Sequence, residues 1–311
     1  MPKSLETIPS YFRLLRFDSW QVWLFNFLLG CILFGLPQIN RFIPILISFS
    51  LATSSIFILN QYFDQENDKN NNLKKELPIA SGEVKPKVAL AVFFIFICTS
   101  LITAFFVDIS IFLLLLALIL LGVGYSTPPL FFKNRPGLDV VVCGIGAGII
   151  PFFIGVQTTS FLTFQFEFPW MIRRYQDALF TVLPIFLVQC AGQIYQVVGD
   201  YEADTSARIN TFAVKYGRQT ALRFATIALS ITVSLPIIYE LCNLSLTPYL
   251  SWYLIAFACL VPFLLYFLKR AQDTSERNFK KLRDISRKVG AGIVIALISY
   301  VFIVRLILNG V

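Results

Sequence analysis

Asn60, Asp64 and Asp68 are spaced four residues apart, and so are Gln196, Asp200 and Asp204. On an α-helix a four-residue step turns the side chain by only about 40°, so each set projects from one face. Like-charged carboxylates held side by side repel, and at a membrane edge desolvation adds to the cost. Two such sets make physical sense when cations sit among them. An all-oxygen donor set suits magnesium, which keeps several waters and shares its coordination with substrate phosphates. Asn60 and Gln196 add neutral amides to each set, and Gln189 and Gln193 carry the second face further back along the helix.

Basic residues follow both sets. Lys69, Lys74 and Lys75 come after the first, and Arg208, Lys215 and Arg218 after the second. Between them lies YSTPPLFFKNRPGLD at 125–139, with Tyr125, Lys133 and Arg135. Cations beside a metal-bound diphosphate would offset its charge and stabilise it as a leaving group. Lys133, Arg208 and one of Lys74 and Lys75 are the expected diphosphate contacts. Histidine is absent, which removes the commonest general base and the commonest zinc ligand. The six cysteines sit in apolar stretches without ligand spacing, so they are read as packing residues.

The elements that position these residues are membrane helices. Hydrophobic residues make up 57% of the 311 positions and charged residues 14%, a composition foreign to a soluble domain. Runs of about 20 apolar residues, the length needed to cross a bilayer, fall near 20–37, 42–62, 88–107, 109–126, 138–157, 178–199, 219–240, 249–268 and 288–308. The expectation is an all-α polytopic membrane protein with nine transmembrane helices around a central cavity, formed as a single domain over 1–311. The N-terminal stretch has no short apolar core before a cleavage site, so the first run is expected to be a retained helix rather than a signal peptide.

Charge tests the count. Nearly all of the 26 Lys and Arg lie on one set of alternate loops; Arg41, Arg173 and Arg174 fall on the other, and Arg223 and Arg305 within spans. The positive-inside rule then places the N-terminus and the long loops in the cytoplasm, across the inner (cytoplasmic) membrane. Four spans separate the two acidic sets, which puts both on that same face. The net charge of +8 is explained by topology and lipid headgroups, and no nucleic-acid partner is implied.

The Asn-x-x-x-Asp-x-x-x-Asp motif at 60–68 followed by ELPIASGEV resembles the UbiA superfamily of intramembrane prenyltransferases. So do Asp-x-x-x-Asp at 200–204, RINTFAVKYG at 208–217 and YSTPPLFFKNRPGLD at 125–139. The resemblance implies nine helices around a cavity that opens to lipid and two Mg2+ ions holding an isoprenyl diphosphate. Ionisation would give an allylic cation, captured by a lipophilic or aromatic acceptor. By position, Asn60, Asp64 and Asp68 would serve one metal and Asp200 and Asp204 the other. Asn60, Gln196, Lys74, Lys75 and Arg208 would contact the diphosphate, Lys133 would act beside it, and the Tyr125 ring would stabilise the cation. Two departures stand out: Gln61 where many members carry Asp, and Leu77 where many carry Arg. The KxRPxLD pattern at 133–139 is similar to carotenoid-elongating members.

Two other functions use the same residues differently. A terpene cyclase of this type would capture the cation within its own chain. A transporter would use the acids as ion sites, but these sit at helix ends, and no matched pair of Gly/Pro-interrupted helices marks the halves. The segment 161–177 alternates aromatic and polar residues and is expected to lie along the outer interface. The run 270–288 is expected to be a basic surface loop or short helix facing anionic lipid.

Overall fold

The computed structural model describes residues 10–34, 37–71, 74–159 and 168–241. Among them there is no strand. The long helices are α1 (Phe17–Phe34), α2 (Ile39–Asn70), α3 (Pro86–Val107), α4 (Ile109–Ser126), α5 (Leu138–Thr159), α6 (Phe168–Gly199) and α9 (Arg218–Leu241), with short helices α7 (Tyr201–Ser206) and α8 (Phe212–Tyr216) between the last two. Helices therefore occupy the places of the first seven expected spans. The runs at 249–268 and 288–308, and the basic run 270–288, lie outside the described residues.

Five segments are long and apolar enough to cross a membrane: Ile39–Asn70, Pro86–Val107, Ile109–Ser126, Leu138–Thr159 and Thr181–Gly199. Large apolar side chains such as Phe94, Phe106, Leu113, Leu120 and Ile227 point outward, as lipid-facing positions do. The protein is an integral membrane protein.

Two boundaries differ from the reading of hydropathy. Expected to stop at 62, α2 continues to Asn70, about two turns further. Apolar composition ends where the bilayer does, but the backbone ladder does not. That extension carries both aspartates of the first set on regular helix. Expected to start at 178, α6 begins at Phe168 and runs on to Gly199, so the end of the stretch 161–177 is helical, while residues 161–167 lie outside the described residues. Aromatic–polar alternation there coexists with helix.

Packing follows the small residues. α1 lies against α5, α2 against α3 and α4, and α6 against α9 and α5. Phe27, Ile45, Phe49, Ile111, Leu115, Leu118 and Ile154 form the core that joins α1, α2, α4 and α5. Where α1 crosses α5, a Cβ on Gly155 would come 2.0 Å from the Phe27 carbonyl oxygen, and one on Gly30 would come 2.1 Å from that of Phe152. Membrane helices approach this closely only through small residues. Gly155→Ala is expected to lower stability by about 2 kcal/mol through overpacking, read as a lower unfolding midpoint in detergent. A π turn at Ile145–Ile149 interrupts the α ladder of α5, and the buried Asn26 amide donates to the Ala147 carbonyl there at 2.8 Å, satisfying an acceptor within the bilayer.

Only Asp108 separates α3 from α4. Its backbone is extended, and its carboxylate accepts from the N–H groups of Ser110 at 2.7 Å and Ile111 at 3.2 Å. The cap ends one helix and starts the next. Arg41, at the head of α2, pairs with the same carboxylate and donates to the Gln157 carbonyl at 3.1 Å. One residue thus fastens the ends of α2, α4 and α5. The thiols of Cys31, Cys98, Cys143 and Cys190 are all free.

Candidate active site

The face from which Asn60, Asp64 and Asp68 project lies on the long continuous helix α2. The second set is built differently. α6 ends at Gly199, Asp200 leaves helical geometry at φ −89° and ψ 3°, and Asp204 sits on α7. The i to i−4 hydrogen bonds nevertheless run through, with the Asp200 N–H on the Gln196 carbonyl at 3.0 Å and the Asp204 N–H on the Asp200 carbonyl at 2.8 Å. The four-residue phase survives the break. All four aspartates are buried: Asp64, Asp68, Asp200 and Asp204 are 5%, 4%, 8% and 6% exposed.

Two lysines from loops reach this pair of sets crosswise. Lys74, which follows the first set in sequence, bonds Asp200 of the second at 2.8 Å. Lys133, from the loop between α4 and α5, bonds Asp64 of the first at 2.6 Å. Asn60 donates to Asp64 at 2.9 Å and contacts the Ser126 hydroxyl at 3.4 Å. Asn71 donates to Asp200 at 3.3 Å. The two sets, four spans apart in sequence, therefore converge on one site.

The electrostatics follow from burial against these pairs. Burial opposes the charge on Lys74, but Asp200, Asp68 and Asp64 together hold its ammonium above the usual lysine range. Burial likewise pushes the Asp200 carboxyl up, and the Lys74 ammonium overrides it, so the group stays below its ordinary value. Asp204 has no such contact. Burial raises it to about 7, with Lys133 opposing and Asp200 adding to the rise.

Several expected residues fall elsewhere. Lys75 is exposed while Lys74 is inserted, and Gln196 and Arg208 are exposed. Arg208 holds φ at 57°, the left-handed region that a non-glycine residue takes at a cost of about 1 kcal/mol. Tyr125 is half-buried at the membrane side of the acids, and its hydroxyl accepts a hydrogen bond from the Gln193 amide at 2.8 Å.

Four groups at the site carry roles that spacing did not reveal. Asn71 lies beyond the periodic motif. Asp139, fully buried, accepts from the N–H groups of Gly137 at 2.7 Å and Phe212 at 2.7 Å. Asn134 accepts from the Asn210 N–H at 2.6 Å. Both tie the Lys133 loop to the segment after Asp204. Gln61, the departure within the first motif, is 1% exposed and donates to the Leu14 carbonyl at 3.0 Å. It fastens the N-terminal segment, whose Arg13 pairs with Glu83 at 3.1 Å and with the Glu76 carbonyl, both on the Lys74 loop. An acid spaced outside the repeating phase reads as a loop charge until the partner loop is in place.

Among the described residues no three His, Cys, Asp or Glu side chains form a ready-made ligand cluster. The donor set still fits a magnesium ion that completes its shell with water and phosphate oxygens. It offers oxygen donors only, and Asp68 and Asp204 are buried with no ion-pair partner among the described residues. Buried carboxylates of this kind need a counter-charge.

The profile of the UbiA prenyltransferase family matches residues 22–285, and the chain belongs to that family. A protoheme IX farnesyltransferase of Leptospira biflexa serovar Patoc is 30% identical over 158 residues, covering 49% of this chain and 54% of that protein. A digeranylgeranylglyceryl phosphate synthase of Thermococcus kodakarensis is 25% identical over 202 residues, covering 64% of this chain and 65% of that one. The chain thus spans about half the length of the first relative and just under two thirds of the second. Solved structures share the fold. A UbiA homolog from Archaeoglobus fulgidus bound to DMAPP and Mg2+ matches with a TM-score of 0.69 at 22% identity, over 92% of this chain and 99% of that one. One from Aeropyrum pernix K1 reaches 0.72 at 16% identity, over 92% of this chain and 98% of that one.

Proposed function

We propose that this chain is an intramembrane prenyltransferase that moves an isoprenyl group from its diphosphate to a lipophilic or aromatic acceptor. The observation that carries the reading is the convergence of four buried aspartates from two helices with two inserted lysines. The farnesyl- and geranylgeranyl-handling names of the relatives and the DMAPP and Mg2+ in the Archaeoglobus homolog support it. The reading takes residues 1–311 as one domain with nine helices around a central cavity, and the N-terminus and site loops on the cytoplasmic face of the inner membrane.

Asn60, Asp64 and Asp68 would hold one Mg2+ and Asp200 and Asp204 the other, with the Asn60 and Asn71 amides orienting Asp64 and Asp200. Bound there, magnesium supplies Lewis-acid charge stabilisation to the diphosphate oxygens. Lys74 and Lys133 turn from the carboxylates to the diphosphate as negative charge builds on the leaving group. Arg208, Lys75 and Gln196 stand at the exposed rim, where they guide the anionic donor in. The Tyr125 ring faces the allylic cation. The apolar walls of α4, α5 and α6 keep water from it.

The test uses purified protein in lipid with Mg2+ and labelled geranylgeranyl diphosphate, with and without a lipid extract as acceptor source. Magnesium-dependent diphosphate release and a labelled lipid product made only with the extract are the expected result. A labelled hydrocarbon made without extract would assign a cyclase instead. Absence of both diphosphate release and diphosphate binding would sink the reading, and counterflow in proteoliposomes would then point to transport.

A further inference from the structure

Below the acids, toward the membrane, α4 and α6 meet at one hydroxyl. Tyr125 ends α4, and its neighbour Ser126 touches Asn60 of the first acidic set at 3.4 Å. Gln193 lies on α6 about two turns before Asp200, is 9% exposed, and directs its amide nitrogen to the Tyr125 oxygen at 2.8 Å. Asn60 in turn donates to Asp64 at 2.9 Å, which places Tyr125 close to the first acidic set.

A tyrosine ring in an apolar wall has a broad, two-fold torsion about its outer bond and is free to rock. Its phenol oxygen also carries lone pairs, and an allylic cation is an electrophile that takes the nearest available pair of electrons. Both problems have one solution here. The Gln193 N–H occupies the oxygen at 2.8 Å. The oxygen is held against α6, and the ring face, with its negative quadrupole, is what remains to be offered.

We propose that Gln193 is a positioning residue for the transfer step, acting through the Tyr125 hydroxyl to present the ring face, and not the phenol oxygen, to the cation. The proposal rests on the prenyltransferase reading. Among the described residues the Gln193 amide bonds the Tyr125 hydroxyl and none of the four aspartates, so its effect belongs to the cation-forming step and not to donor affinity.

The experiment is a double-mutant cycle on the full-length protein in lipid. Diphosphate release from geranylgeranyl diphosphate is followed for wild type, Gln193→Met, Tyr125→Phe and the double variant. Gln193→Met keeps the side-chain volume and is expected to lower kcat about tenfold with KM within about twofold of wild type, the signature of misplacement at the reacting centre. In the Tyr125→Phe background the same change is expected to do nothing more, because the hydroxyl through which it acts is gone. Gln193→Asn keeps the amide but withdraws it by one methylene, and it should reproduce the loss. A double variant about tenfold below Tyr125→Phe would mark Gln193 as a packing residue and overturn the proposal, as would an unchanged kcat in Gln193→Met. Failure of the underlying reading looks different: wild type itself would neither bind nor cleave the diphosphate.

Discussion

Asp64→Ala loses magnesium-dependent binding of geranylgeranyl diphosphate by at least about a hundredfold, close to 3 kcal/mol. The size follows from what meets at this carboxylate. Asp64 is 5% exposed and takes Lys133 at 2.6 Å and Asn60 at 2.9 Å. On the proposed reading, removing it deletes a metal ligand, frees a buried ammonium to repel the same metal, and releases the amide that orients the set. Each change works against the donor complex. Glu66→Ala is the matched control. Glu66 lies two residues on, on the exposed side of the same helix, where among the described residues it pairs with Lys69. Pairs of that kind contribute less than about 1 kcal/mol, so binding should stay within about twofold. Calorimetry with and without Mg2+ reads both variants. Equal affinity in Asp64→Ala and wild type would remove this carboxylate from the metal site.

Much of this site was legible because helices impose a phase. Spacing alone put Asp64 beside Asp68 and Asp200 beside Asp204, and the charge asymmetry of the loops put both sets on one face. Spacing could not say that α6 breaks at Gly199, since the i to i−4 bonds keep the phase through Asp200. Helix ends were misread where composition and backbone part company, as in the final turns of α2 and the first turns of α6. The loops were least legible. Nothing in the order of Lys74 and Lys75 says which enters the site, because that is decided by the N-terminal segment clamping Glu76 and Glu83 through Arg13. Asp139 carried no role in the sequence, because the N–H it accepts from belongs to Phe212, 73 residues on. Tertiary partners of that kind leave no periodic trace.

Lys74→Met tests that loop most directly, and Lys75→Met beside it makes the comparison internal. Lys74 and Asp200 are 14% and 10% exposed at their side chains and sit 2.8 Å apart. Breaking a buried pair from one side leaves the other charge desolvated, a loss of about 3–5 kcal/mol. Asn71, at 3.3 Å from Asp200, offsets a little of this as a neutral donor. Lys75 is exposed, so its replacement should move stability by no more than about 0.5 kcal/mol. Unfolding midpoints in mild detergent separate the two cases. Magnesium with inorganic pyrophosphate should then recover part of the Lys74→Met loss, because a divalent cation at Asp200 supplies the missing counter-charge and binding to the folded state alone stabilises it. Wild type should gain less from the same addition, since its carboxylate is already paired and the lysine must be moved aside. A Lys74→Met protein as stable as Lys75→Met would show that the buried pair adds nothing to the fold. One that magnesium and pyrophosphate leave unimproved would separate Asp200 from the metal and place Lys74 as a structural residue.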